Sequence, residues 1–273
     1  MRILKNLFAF YIASSIHVAF AVVALAVIST IHLGISPDIN LLLFIFFGTI
    51  TGYNFIKYAG VAGLHHRSLT QNLRLIQIFS FLCFVGLVNF AFRIRFEVIA
   101  VAVLLGFLTL LYALPFFGER NLRTIGGIKI YIIALIWAGV TVFLPVIDSG
   151  MLVNAEVILE FFQIFLFVLV LLIPFEIRDL KYDRAELKTL PQNIGVRGSK
   201  LIGVIFMILM LVVEFLKKAG TPESLGALGM VIVVTGFMMI EAEEEQSKYF
   251  SSFWVEGLPL LWLGILLLLE NLV

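Results

Sequence analysis

Residues 161–190 read FFQIFLFVLVLLIPFEIRDLKYDRAELKTL, an apolar run that ends in the densest group of charges in the chain. The apolar part approaches the length of a membrane span, which needs about 20 mostly apolar residues. Beyond it, Glu176, Asp179 and Asp183 follow one another at i, i+3 and i+7. On a helix this spacing places the three carboxylates along one face. Carboxylates at the end of a membrane helix, with basic residues between them, are suited to holding Mg²⁺ against a phosphate group.

The composition of the whole chain indicates a polytopic membrane protein. Of its 273 residues, 62% are hydrophobic and only 14% are charged, and the mean hydropathy is +1.10. Soluble domains average about 25% charged residues. The net charge of +1 gives no overall imbalance that would point to a nucleic acid or an acidic partner. A single cysteine, Cys83, excludes a disulfide within the chain and provides no metal cluster.

Nine stretches of the chain approach the length and apolarity of a membrane span. The first follows a charged start, as in a signal peptide, but its apolar run is too long for one, so we predict a retained span. The predicted fold is all-α, with nine transmembrane helices around a central cavity and a single domain over residues 1–273. The predicted spans are about 7–31, 39–58, 75–92, 98–117, 128–147, 157–175, 200–217, 225–240 and 251–269.

The basic residues favour one orientation of these spans. With the N-terminus in the cytoplasm, 15 of the 19 Lys and Arg residues fall in cytoplasmic segments, as the positive-inside rule requires. The C-terminus then lies outside, and we predict an integral protein of the inner (cytoplasmic) membrane. In this arrangement the loops after spans 2, 4 and 6 lie on the same side. They hold nearly all the residues that could bind an anion.

Two segments on that side make the pattern more specific. The carboxylate series Glu176-x-x-Asp179-x-x-x-Asp183 is followed by LKTLPQNIG (187–195), and the loop after span 4 contains LYALPFFGERNLRTIGGIK (111–129). Together with the span count, these segments resemble the second aspartate motif and the Tyr-x-x-Pro segment of the UbiA-type intramembrane prenyltransferases. The resemblance covers the whole chain in span count and loop placement. It implies transfer of a prenyl group from a prenyl diphosphate to a lipophilic acceptor, which could be aromatic, with Mg²⁺ as cofactor.

The first aspartate motif of that family is degraded in this chain. The family has Asn-Asp-x-x-Asp-x-x-x-Asp at the end of the second span. Here Asn54 is kept, but Phe55, Tyr58 and Ala62 stand at the three carboxylate positions, and Lys57 adds a positive charge to the stretch. One of the two metal-binding groups is therefore missing, which leaves reduced or absent activity open.

The resemblance also assigns roles to the remaining site residues. Glu176, Asp179 and Asp183 would be the catalytic residues and would hold one Mg²⁺ ion. Contacts to the diphosphate are assigned to Asn54, Lys57, Tyr112, Arg120, Arg123, Arg178 and Lys188. For Asn54 and Lys57, a helix-end hydrogen-bonding group and a snorkelling lysine are equally compatible with the sequence. Basic residues of a cytoplasmic loop can also serve membrane topology alone.

Three function classes stay open at this point. They are a prenyltransferase, a terpene cyclase in which the substrate's own double bond traps the cation, and a catalytically degraded member that binds an isoprenoid. A transporter is disfavoured, because no internal repeat and no corresponding pair of broken spans is visible. Of the other intramembrane ionisable residues, His17 is predicted to be a neutral packing residue, and Glu160 and Glu214 are predicted to be interfacial.

Overall fold

The structure is a computed structural model that describes residues 2–59, 70–114, 122, 127–182 and 187–271. Ala62, Arg120, Arg123 and Asp183, which the sequence analysis singles out, lie outside the described residues. Over the described ranges the regular structure is helical, without a strand. The α-helices are α1 (Arg2–Ala13), α2 (Ile16–His32), α3 (Ile39–Ala59), α4 (Thr70–Ala91), α5 (Phe96–Ala113), α6 (Lys129–Ala138), α7 (Leu144–Ser149), α8 (Ala155–Asp179), α9 (Leu190–Leu216), α10 (Pro222–Glu241) and α11 (Leu258–Glu270), with π-helical segments at Gly139–Phe143 and Phe250–Val255.

The predicted membrane spans are confirmed as helices. Within the described chain, eight helical stretches are long and apolar enough to cross a membrane, and α1 with α2 makes a ninth when this bent pair is taken as one span. A helix is the natural form of such a stretch, because it satisfies the backbone hydrogen bonds within the segment, where lipid offers no partner. The fifth span combines α6, a π-helical segment and α7, and the ninth combines the second π-helical segment with α11.

The spans pack in a closed ring. Helix α2 packs against α3, which contacts α4 and α5, and α5 packs against α6 and α7. From α6 the contacts continue to α8, then through α9 and α10 to α11, which returns to α2. Of the eight continuous spans α8 is the most buried, whereas α4 and α5 leave most of their surface to lipid. The carboxylate series predicted from the sequence therefore begins at the end of a central helix.

The first span is bent by 54° between α1 and α2. At the bend Ser15 adopts a left-handed backbone conformation with φ of 65°, and the break frees carbonyl groups from the helical ladder. Side chains of α3 form hydrogen bonds with these carbonyl groups. The Asn54 amide donates to the Ser14 carbonyl (3.0 Å), and the Tyr58 hydroxyl donates to the Ala13 carbonyl (2.9 Å). The bend is thus stabilised by the segment in which the first aspartate motif is expected.

Helix α9 begins inside the LKTLPQNIG segment. The Gln192 side chain accepts from the backbone N–H of Thr189 at 3.0 Å, which is one half of a capping box, and Pro191 lies in the first turn; both favour a helix start. The helix is interrupted at Gly195, where φ is 73°, a conformation that glycine adopts without strain. This segment therefore forms a short capped helix that joins the end of α8 to the seventh span.

Glu160 and Glu214 lie near the ends of their helices, as the sequence predicts, but both are buried inside the protein. Glu160 is fully buried and Glu214 is 4% exposed. The reason is that Lys217, which follows α9, reaches back into the bundle and pairs with both carboxylates, at 2.6 Å and 3.1 Å. A paired carboxylate can remain buried where an isolated one could not.

Candidate functional site

The end of α8 presents Glu176 and Asp179 three residues apart, and both carboxylates already face fixed cations. Glu176 is buried, and its Oε1 lies 2.7 Å from Nζ of Lys129 at the start of α6. Asp179 is partly exposed and receives two bonds from the neighbouring Arg178, at 2.8 Å and 3.2 Å. The Arg178 guanidinium also lies 5.1 Å from the centre of the Phe175 ring. The sequence does not mark Lys129 as a site residue, because its position before an apolar run is typical of topology alone.

The loops after the fourth and sixth spans meet beside this helix end. The backbone N–H of Gly127 donates to the carbonyl of Leu187 at 3.0 Å. Lys188 is exposed at this junction and has a positive φ of 44°. Tyr112 is buried near the end of α5. Residues of two predicted loops therefore come together, as the sequence analysis expects.

Asn54 is used in packing α3 against its neighbours. Its Oδ1 accepts from the Ser15 hydroxyl at 2.8 Å. Its amide donates both hydrogens, one to the Ser14 carbonyl at 3.0 Å and one to the Ser80 hydroxyl at 2.7 Å. With 3% exposure, the side chain serves as a buried hydrogen-bonding group between α2, α3 and α4. This arrangement leaves Asn54 no hydrogen to donate to a ligand.

Lys57 lies one turn further along α3 and remains accessible. Its Nζ donates to the Ser15 hydroxyl at 2.9 Å and lies 5.8 Å from the centre of the Tyr53 ring. The Tyr53 hydroxyl in turn accepts from the Trp137 indole at 2.7 Å. Of the degraded carboxylate positions, Phe55 is 40% exposed and points away from these contacts. This end of α3 therefore carries the positive charge of Lys57, and Ser15 at the bend of the first span accepts a hydrogen bond from it.

Glu256 is a carboxylate of this site that the sequence analysis missed. It follows the π-helical segment at the start of the ninth span and interacts electrostatically with Lys57 of α3 and Arg178 of α8. Lys57 and Arg178, which belong to different loops of the predicted topology, thus both interact with the Glu256 carboxylate. The sequence offered one signal for Glu256, because an acidic residue close to an apolar span is by default a candidate functional residue.

His17 fixes the backbone that carries Glu256. Its Nε2 lies 2.9 Å from the Phe253 carbonyl, which can only accept, so Nε2 carries the hydrogen. The Tyr11 hydroxyl lies 2.9 Å from Nδ1 and donates to it when the ring is neutral. His17 is buried and stacks on the Phe253 ring at 4.9 Å. The predicted packing role of His17 is confirmed.

The described carboxylates fit a Mg²⁺ ion only in part. Glu176 directs an oxygen at Lys129, and the described residues contain no preformed group of three metal-binding side chains. Asp179 is the better candidate ligand, because it is partly exposed and its charge partner, Arg178, is also partly exposed at the same helix end. Carboxylate oxygens are the ligands that Mg²⁺ prefers. Asp179 is thus the described carboxylate that an ion could reach most directly.

Comparison with known proteins identifies the fold but gives no match by sequence. No family model matches the chain, and no curated protein matches it significantly. Among solved structures, a UbiA homologue from Archaeoglobus fulgidus bound to GPP and Mg²⁺ has a TM-score of 0.63 at 12% identity, covering 96% of this chain and 99% of the homologue.

Two further structures give the same result. A UbiA homologue from Aeropyrum pernix K1 has a TM-score of 0.58 at 13% identity, over 94% of this chain and 96% of the homologue. A digeranylgeranylglyceryl phosphate synthase has a TM-score of 0.57 at 17% identity, over 98% of both chains. The likeness extends over nearly the whole length of each chain. The chain therefore has the fold of the UbiA homologues.

Proposed function

We propose that this chain is an intramembrane prenyltransferase-like protein that binds a prenyl diphosphate where the ends of α3, α6 and α8 meet. The observation that carries the proposal is the group of cations at this end of the bundle, where Lys129 and Arg178 pair with the carboxylates of α8 and Lys57 of α3 is held by Ser15. These cations lie at the same end of the bundle as Glu176 and Asp179. The UbiA homologue from Archaeoglobus fulgidus, which has the same fold, was solved with GPP and Mg²⁺.

The proposed reaction begins with cleavage of the C–O bond of the prenyl diphosphate. Pyrophosphate leaves with the bonding electrons, and a nucleophilic group of a lipophilic acceptor forms a bond to the allylic cation and loses a proton. Lys57 and Arg178 hold the departing negative charge, since fixed cations in a water-poor site stabilise it without reorganisation. Asp179 and Asp183 would hold Mg²⁺, which would add positive charge to stabilise the leaving pyrophosphate. Arg120, Arg123, Lys188 and Tyr112 are proposed as further contacts.

A second candidate function is binding of an isoprenoid diphosphate without turnover. Two observations favour it: Tyr58 donates to the Ala13 carbonyl at a position where the family has a carboxylate, and Glu176 is paired with Lys129. A terpene cyclase of the same fold is the third candidate. Product analysis after incubation with a mixed pool of prenyl diphosphates and lipophilic acceptors separates the three. A prenylated acceptor indicates a transferase, a cyclic hydrocarbon indicates a cyclase, and unchanged substrate indicates a binding protein.

The experiment that tests the site is prenyl-diphosphate binding to the purified protein, with Mg²⁺ and with a chelator. We expect binding to persist with the chelator, because the fixed cations remain when the metal leaves. Lys57→Met and Arg178→Met should each lower the affinity about tenfold to a hundredfold, as expected for loss of one charged hydrogen bond. Lys181→Met, which removes an exposed lysine at the same end, is the matched control and should bind like the parent.

Two outcomes would contradict this proposal. One is binding that disappears with the chelator yet is unchanged in Lys57→Met. The other is an Asp179→Ala variant that reacts like the parent, since the proposed metal pair would then have no role. If the parent has no turnover, ligand binding in the presence of Mg²⁺ replaces the rate as the measurement for Asp179→Ala.

We also propose that residues 1–273 form one domain in the inner membrane, with the candidate site facing the cytoplasm. The support is the asymmetry of Lys and Arg between the two sides of the predicted spans. A prenyl diphosphate made in the cytoplasm would then reach the site directly.

A further inference from the structure

A second buried polar group lies at the opposite end of the bundle from the candidate site. On α8, Glu160 and Glu176 are 16 residues apart, which corresponds to about 24 Å along a helix. We call this group the far-end cluster. It consists of His32 of α2, Glu160 and Gln163 of α8, Glu214 of α9, Lys217, and Ser224 of α10.

Lys217 is fully engaged within the far-end cluster. Its Nζ donates to Oε2 of Glu160 (2.6 Å), to Oε1 of Gln163 (2.5 Å) and to Oε2 of Glu214 (3.1 Å). Burial alone would lower the pKa of Lys217, but the two carboxylates outweigh burial and raise it. Lys217 is therefore charged, and all three of its hydrogens are used.

The charges of the far-end cluster do not balance. Two carboxylates face one ammonium group, which leaves a net charge of −1 when His32 is neutral. Their side chains are 5% exposed or less. A buried charge without a counter-charge is strongly unfavourable. One positive charge is thus missing from the described contacts.

Three buried polar atoms without partners lie around His32. Its Nδ1 donates to the Glu160 carboxylate, at 3.1 Å and 3.2 Å, so in the neutral ring Nε2 is an acceptor. Nε2 has no hydrogen-bond partner among the described residues, although the side chain is only 4% exposed. The indole N–H of Trp262, whose ring centre lies 5.9 Å from that of His32, and the hydroxyl of Ser29, one turn earlier on α2, lack partners as well. Such atoms indicate a polar occupant.

A pocket of about 40 Å³ adjoins His32, whereas Ser29 and Trp262 are not among its lining residues. A water molecule needs roughly 10–15 Å³ of such volume, so the pocket has room for an ion and a water. It is lined by His32, Glu214, Lys217, Thr221, Ser224 and Glu270. Carboxylate and hydroxyl oxygens are ligands of hard cations. The part of the chain that is described offers no group of three His, Cys, Asp or Glu side chains placed to hold a metal ion, so water would supply most of the ligands of a cation here.

We propose that this pocket binds one small hydrated monovalent cation, Na⁺ or K⁺, beside Glu214, with a water of the cation donating to Nε2 of His32. The cation supplies the missing positive charge, and its water supplies the missing partner of the imidazole. Binding at this end fixes the junction of α2, α8, α9 and α10. The inference does not depend on the function proposed for the other end.

The test is thermal unfolding of the purified full-length protein in detergent at fixed pH and ionic strength. NaCl and KCl are compared with N-methyl-D-glucamine chloride, whose cation is too large for the pocket. A saturable rise in Tm of about 2–4 °C is expected for Na⁺, for K⁺ or for both. Glu214→Gln should abolish the rise. Asp148→Asn, which neutralises a carboxylate outside the far-end cluster at the same end, should keep it.

Direct binding of ²²Na⁺ or ⁸⁶Rb⁺ to the parent protein keeps the test decisive if Glu214→Gln does not fold. We expect one saturable site per chain that is retained in Asp148→Asn. Equal Tm values in the three salts, without saturable tracer binding, would overturn the proposal. A Tm that follows pH but not the cation would also overturn it, because a proton on His32 would then supply the charge.

Discussion

Lys129 neutralises a carboxylate that the sequence assigns to metal binding. The Lys129–Glu176 ion pair is short, at 2.7 Å, and both side chains are largely buried. Lys129→Met deprives Glu176 of this cation inside the bundle, so we expect a destabilisation of about 3–5 kcal/mol. Neutralising the carboxylate as well, in Lys129→Met with Glu176→Gln, should recover most of this loss. Chemical denaturation of the protein in micelles measures both variants, and equal stability of the single variant and the parent would contradict the expectation.

Glu256 affects ligand binding through its charge. It interacts electrostatically with Lys57 and Arg178, the two cations proposed to bind the diphosphate. Glu256→Gln removes the negative charge that the ionised carboxylate sets against the ligand, so we expect the diphosphate affinity measured at pH 8.5 to rise by about threefold or more. Glu223→Gln, at the opposite end of the bundle, is the control. A fall in affinity in Glu256→Gln would instead indicate that the carboxylate binds a metal with the ligand.

At the scale of the helix, the bend between α1 and α2 depends on α3. Asn54 makes three hydrogen bonds across the junction, and two of them involve Ser14 and Ser15 at the bend. Asn54→Leu leaves these groups buried without partners, which should destabilise the protein by about 2–4 kcal/mol. Tyr58→Phe, which removes the single bond to the Ala13 carbonyl, should have a smaller effect of about 1 kcal/mol. Equal stability of Asn54→Leu and the parent would show that the bend is held by other contacts.

The helices were predictable from the sequence, but their interruptions were not. Apolar length alone marks α8 and α9, because a span is a property of consecutive residues. The bend at Ser15 depends on Asn54, which lies 39 residues away in sequence. The π-helical segment before Glu256 likewise depends on the bond from His17 to Phe253, across 236 residues. Local sequence carries no signal for such pairings, so the position of Glu256 could not be predicted.

For the whole molecule, the composition and the charges of the loops predict the number of spans. Which charged residues pair with one another is visible only in the structure. The sequence placed Lys57, Arg178 and the carboxylates of α8 at one end, because loop parity assigns each of them to the same side. It could not show that Lys129 pairs with Glu176, or that Lys217 turns back to neutralise buried carboxylates at the other end. Both pairs join residues from different helices, and their distances depend on how the ring closes.

The orientation of the ring in the membrane gives the last prediction. The native Cys83 is buried, so a Cys83→Ala background supports single cysteines at Ser149, an exposed residue at the end of α7, and at Lys181, an exposed residue just after α8. With the basic segments in the cytoplasm, a membrane-impermeant maleimide added to intact cells should label Ser149→Cys and not Lys181→Cys. Permeabilised cells should show labelling of both, which controls for reactivity. Labelling of Lys181→Cys alone in intact cells would place the candidate site outside, where a diphosphate made in the cytoplasm could not reach it.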